Sequence, residues 1–243
     1  MSTISISRIL RTMLPLGALM LGQSLLRADV TVGTDNNGNC YPFMCNDSGT
    51  SVGQSIDYEQ VYASTAFTGP QTIDSIEWYF ASVFGGNDVV LGGNYEFEWG
   101  YAASNAVGNL SSALASNYTS GPNLIGTGVI PAGGTNYGAI LTLSGFTPFT
   151  YDPSLGDLLL EIVVTDQDNV PNGSGNGYNE SDDTGAETSR AYCITGSGCV
   201  ADAADGLVTT FGTSVPEPSS VVLLGTVAFA AGLRLRKALR KAN

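Results

Sequence analysis

Apolar and polar residues alternate with a period of two through most of the middle of the chain. Tyr95, Phe97, Trp99 and Tyr101 fall on one side of a strand, and Glu96 and Glu98 fall on the other. Ile76, Trp78 and Phe80 alternate in the same way with Ser75, Glu77 and Tyr79. Residues 158–164 form a nearly continuous apolar run, as in a central strand covered on both faces. Further strands are predicted at 30–34, 58–64, 137–144, 189–195 and 207–212. Turn-rich stretches separate them, among them Asn36-Asn37-Gly38, Gly133-Gly134 and a long loop at 166–185. Only 107–118 reads as a short helix. About eight strands at this spacing predict an all-β body over 29–214, an antiparallel β-sandwich of jelly-roll-like type.

Both ends depart from this pattern. Arg8 and Arg11 precede an apolar run at 13–26 and then Ala28, the arrangement of a secretory signal peptide over 1–28. Cleavage after Ala28 would leave Asp29 as the new terminus. At the other end, Val215-Pro216-Glu217-Pro218 leads into an apolar segment at 219–233 and a basic tail at 234–243 containing Arg234, Arg236 and Lys237. The prolines hold the motif extended. As a transmembrane helix, 219–233 would span roughly 22 Å against a hydrocarbon core of about 30 Å. Basic side chains reaching to the headgroups offset part of that shortfall. The basic cluster would stay cytoplasmic, with the acidic body across the membrane.

A Pro-Glu-Pro tripeptide, a short apolar helix and a terminal basic cluster, in this order over 215–243, resemble the PEP-CTERM sorting signal of Gram-negative bacteria. Together with the signal peptide, the resemblance implies export through the Sec translocon and recognition of Pro216, Glu217 and Pro218 by an exosortase. It also implies a transient membrane anchor through the C-terminal helix and release to the cell surface or extracellular matrix. The family is associated with exopolysaccharide and biofilm production.

Charge and composition narrow the chemistry. The chain has 243 residues and no histidine, so no mechanism built on imidazole is available to it. Between residues 29 and 214 Arg190 is the sole base against 21 acids, a formal charge of −20. Such a body repels nucleic acid, which is excluded as a partner. Cys40 and Cys45 form one local pair of cysteines, Cys193 and Cys199 another. Export to an oxidising compartment favours two short disulfides, with a four-thiolate zinc site as the rival.

The remaining candidates are weaker. Gly49-Thr50-Ser51-Val52-Gly53 matches a nucleophile-elbow pattern but has no histidine to serve as base. Glu96 and Glu98, two apart on one strand face, sit roughly 6.8 Å apart, close to glycosidase spacing. They read more simply as a solvated face. Asp166 and Asp168, with Asp182 and Asp183 further along the same loop, have oxygen chemistry suited to Ca²⁺ without the spacing of an EF-hand. No other cofactor is implied. Trp78, Tyr79, Trp99 and Tyr101 could stack on sugars, although alternating aromatics more often fill a core.

The expectation is therefore an exported, non-enzymatic surface or matrix protein with a structural or adhesive role, in contact with extracellular polysaccharide. A carbohydrate-binding module and a carboxylate-based glycoside hydrolase are the alternatives.

Overall fold

The computed structural model describes residues 29–45, 54–81, 88–168 and 177–214. Alternation along the chain becomes strands throughout: β1 (Val30–Val32), β2 (Asn37–Asn39), β3 (Gln54–Tyr62), β4 (Gln71–Tyr79), β5 (Val89–Val90), β6 (Gly93–Ala102), β7 (Ser120–Ile130), β8 (Thr135–Asn136), β9 (Ile140–Tyr151), β10 (Asp157–Gln167), β11 (Asn179–Asp182), β12 (Thr188–Ile194), β13 (Gly198–Asp202), β14 (Gly206–Leu207) and β15 (Thr209–Ser214). Every pairing is antiparallel. A four-stranded sheet runs β1-β15-β4-β9 and a six-stranded sheet β13-β12-β3-β10-β6-β7, with two smaller sheets, β14-β11-β2 and β5-β8.

The two large sheets share one core because the apolar half of each alternation turns inward. Trp78 of β4 stacks on Phe97 of β6, and Trp99 of β6 on Phe149 of β9, with ring centroids 6.2 and 4.6 Å apart. Tyr62 of β3 meets Phe211 of β15 edge-on at 4.8 Å. These aromatic contacts bury large apolar areas and set the spacing of the sheets. Cys40–Cys45 and Cys193–Cys199 are both disulfides, the second across the β12–β13 hairpin, where the two cysteines are register partners.

Three expectations are corrected. The body is all-antiparallel β as expected, but among the described residues it has fifteen strands in four sheets without a closed barrel, not the about eight strands of a jelly-roll-like sandwich. Short pairs such as β2, β5 and β8 are too brief to leave a periodic signal, and Gly121, Pro122, Gly126 and Gly128 disguise β7.

The helix expected at 107–118 is a loop with one 3-10 turn at Leu114–Ser116. Asn117 accepts from the Ser111 amide at 2.7 Å and donates to its carbonyl at 2.9 Å, so side chains take the backbone groups a helix would need.

Finally, no helix among the described residues is long and apolar enough to cross a membrane. The transmembrane helix expected at 219–233 lies outside the described residues and was already short of the hydrocarbon thickness. Among the described residues, the expected membrane partner and transient anchoring have no membrane-crossing helix to rest on, and the segments expected to meet the Sec translocon and an exosortase lie outside them. The signal peptide with Ala28, the Gly49–Gly53 pattern, and Val215 through the basic tail with Arg234, Arg236 and Lys237 also lie outside the described residues.

Candidate functional site

Along β3, Tyr58, Gln60 and Tyr62 point into the core, so Asp57 and Glu59 must point out. The same rule turns Glu161 out of β10 and Glu96 and Glu98 out of β6. Register then places Glu161 directly opposite Glu59 on one side and Glu98 on the other. One row further along, Val163 separates Asp57 from Glu96. Five carboxylates thus gather on the outer face of three adjacent strands, where like charges directly opposite one another are unfavourable.

The loop connecting β6 to β7 covers part of this face. Val61, Leu159, Ala102 and Ala106 form a small buried cluster beneath Val107, Leu110 and Tyr118. At the end of the loop, Asn117 Nδ2 donates to Glu59 Oε2 at 2.6 Å and Tyr118 donates to Glu161 Oε2 at 2.7 Å. Glu59 is fully buried, and its other oxygen has no hydrogen-bond partner among the described residues.

Burial governs how these groups ionise. It pushes Glu59 up to about 8, against the lowering effect of the Asn117 bond and with help from the charges of Glu161 and Asp57. Burial also raises Glu161 to about 7, despite the bond from Tyr118. Asp57 is raised by burial while a hydrogen bond to Glu161 pulls it down, and Glu98 is raised by burial and then by the charges of Glu161 and Glu96. The Tyr118 hydroxyl is driven up by burial and by the neighbouring carboxylates, so it stays a donor. Glu59 and Glu161 therefore hold protons near neutral pH, which free carboxylates do not. Beside Asp57 lies a shallow depression of about 200 Å³, lined also by Ser55, Val163 and the Cys193–Cys199 disulfide.

Of the residues singled out from sequence, Glu96 and Glu98 do face away from the core, and Glu98 joins the row. Asp57, Glu59 and Glu161 were not anticipated, although a lone carboxylate inside the apolar run 158–164 was a usable signal. The calcium candidates take up separate local duties. Asp166 accepts from Asn94, and Asp168 from the Gly133 amide at 2.7 Å. Asp182 accepts from the Thr184 amide at 2.9 Å and from its hydroxyl, and the Asp183 amide donates to Asn36. No group of three or more acidic or cysteine side chains among the described residues is arranged to hold a metal ion. Trp78 and Tyr101 are buried, Trp99 packs on Phe149, and Tyr79 bonds Thr210, so these aromatics belong to the packing.

Compared with known families, residues 214–237 match the PEP-CTERM protein-sorting motif. The match begins on the last residue of β15 and covers about a tenth of the chain. No curated protein matches the chain.

Proposed function

We propose that this chain is a protein directed to the cell surface or secreted, with its C-terminal motif as the sorting address and the acidic β-sheet body as the delivered part. The observation that carries this reading is the sorting motif placed immediately after the last strand of the body. Two disulfides suit an oxidising destination. A body with one base against 21 acids stays dissolved and resists unspecific contact with anionic surfaces. In this reading its role is structural or adhesive within an extracellular polysaccharide matrix, and not catalytic.

The test is to follow the full chain and the triple variant Pro216→Ala/Glu217→Ala/Pro218→Ala in the native host, by cell fractionation and intact-mass analysis. The natural chain should be recovered from the surface or medium and the variant should be retained in the cell. Equal distribution of the two would overturn the sorting role.

A second reading, a carboxylate-based glycoside hydrolase, is favoured by one arrangement. Asp57 of β3 lines an open depression and Glu161 lies on the adjacent β10, two residues from the register partner of Asp57, and neighbouring carboxyls of this kind can act as acid and base. Release of reducing ends from the host's own polysaccharide, abolished by Glu161→Gln with folding intact, would decide for it.

A further inference from the structure

The two large sheets end very differently on their two sides. One side has the three-residue β1 and the five-residue β13, the latter carrying Asp202 in an ion pair with Arg190. The other side has the eleven-residue β7 and the twelve-residue β9. Both long edges fall inside a stretch from Trp99 to Tyr151 with no charged residue, 53 consecutive positions. At the average density of the body, such a length would hold about six charges.

These edges lie alongside each other. A Cβ built on Gly126 would come within 3.7 Å of Phe146, and an apolar slot of about 150 Å³ opens between Ile130 and Leu143, floored by Trp78 and Phe97. Proteins blunt exposed edge strands with charge, proline or bulges. β9 is blunted, since its ladder with β4 jumps at Ile73/Ser75 and Pro148 lies in the jump. β7 is irregular only in its first half, around Pro122 and Ile125. From Gly126 to Ile130 it pairs with β6 residue for residue, and no strand covers its outer edge among the described residues. Val129 there is 73% exposed.

We propose that Gly126 to Ile130 of β7 is the contact through which two copies of this chain associate, pairing antiparallel about a two-fold axis at Gly128. The two six-stranded sheets then become one continuous sheet. Electrostatics selects a second copy as the occupant. Most other approaches bring acids against acids, with a single base in the body to relieve them. At β7 the nearest acidic row is Glu96, one strand further in. Two such rows would stand three strand spacings, roughly 14 Å, apart, beyond the Debye length of about 8 Å at physiological salt. In this register Thr127 of one copy faces Val129 of the other, a β-branched cross-strand pair, twice over by symmetry. The contact is independent of the sorting motif.

The test is sedimentation of the full chain at concentrations up to about 100 µM, in low salt and in about 0.5 M NaCl, where charge repulsion is screened. The natural chain should form dimers, and more tightly at high salt. Thr127→Glu/Val129→Glu places acids opposite one another and should weaken dimerisation by about tenfold or more. Val200→Glu, on the exposed part of β13, should leave it unchanged. A natural chain that stays monomeric at high salt, or a double variant that dimerises as well as the natural chain, would overturn the proposal. Retardation by an uncharged dextran that Thr127→Glu/Val129→Glu abolishes, with no dimer formed, would do so as well and give the face to a glycan.

Discussion

Gln60 pairs with the backbone of Leu207 as though it were itself a strand: its Nε2 donates to the Leu207 carbonyl at 2.7 Å and its Oε1 accepts from the Leu207 amide at 2.6 Å. The same Oε1 accepts from the Tyr58 hydroxyl at 2.8 Å. One buried amide thus ties β3 to β14 across the core. Gln60→Leu should leave the Leu207 amide unpaired in an apolar setting, with the Leu207 carbonyl keeping only the Thr209 hydroxyl, and cost about 2 kcal/mol. Chemical denaturation of the two proteins measures the difference, and an unchanged midpoint would show that this tie is dispensable.

Stability should fall as the pH rises from about 4.5 to 8, the reverse of ordinary acid denaturation. Glu59 and Glu161 are raised from 4.5 to about 8 and about 7, so the folded chain keeps protons that the unfolded chain releases across that window. Their full contribution is present below 4.5 and is lost as the pH rises through about 7 and 8, with the fully buried Glu59 carrying the larger part. Asp57 and Glu98 face the same groups and act in the same direction, while the Tyr118 hydroxyl stays protonated throughout this window.

Glu59→Gln should stabilise the protein at pH 8 and flatten that pH dependence. Glutamine keeps an acceptor for Asn117 Nδ2 and brings no charge into a fully buried position. Melting temperatures at pH 5 and pH 8 distinguish the cases. Equal destabilisation by the variant at both would mean that the position demands the carboxyl shape and not its proton.

Reduction should weaken the body by about 2 kcal/mol for each disulfide in the chain-entropy model. Cys193 and Cys199 close a loop of sequence separation 6, Cys40 and Cys45 one of 5. A thermal scan with and without reductant reads the loss, and Cys193→Ser/Cys199→Ser assigns the share of the β12–β13 hairpin.

Arg190, the sole base of the body, reaches Asp202 and Asp205, each at 3.4 Å, and lies over the Tyr192 ring at 5.4 Å. Arg190→Gln should cost about 1–3 kcal/mol, since it leaves two partly buried carboxylates facing each other uncompensated. Denaturation at low and high salt checks this, with the larger loss expected at low salt.

Period-two alternation decided locally which side chains of β4, β6 and β10 point inward, because the pleat alone dictates facing. Short sequence separation likewise decided the cysteine pairing, and the C-terminal motif is a linear feature. What alternation could not convey is which strands become neighbours. Glu59, Glu98 and Glu161 are scattered along the chain and become one row only through the registers of β3, β10 and β6. Asn117 and Tyr118 lie in a segment whose sequence resembled a helix, and they became the cover of that row once Asn117 had bonded Ser111. Facing follows from the backbone of each residue, while adjacency follows from where distant strands find the best packing. For that reason the carboxylate row and the placing of the uncharged β7 at a sheet edge were decided by tertiary structure.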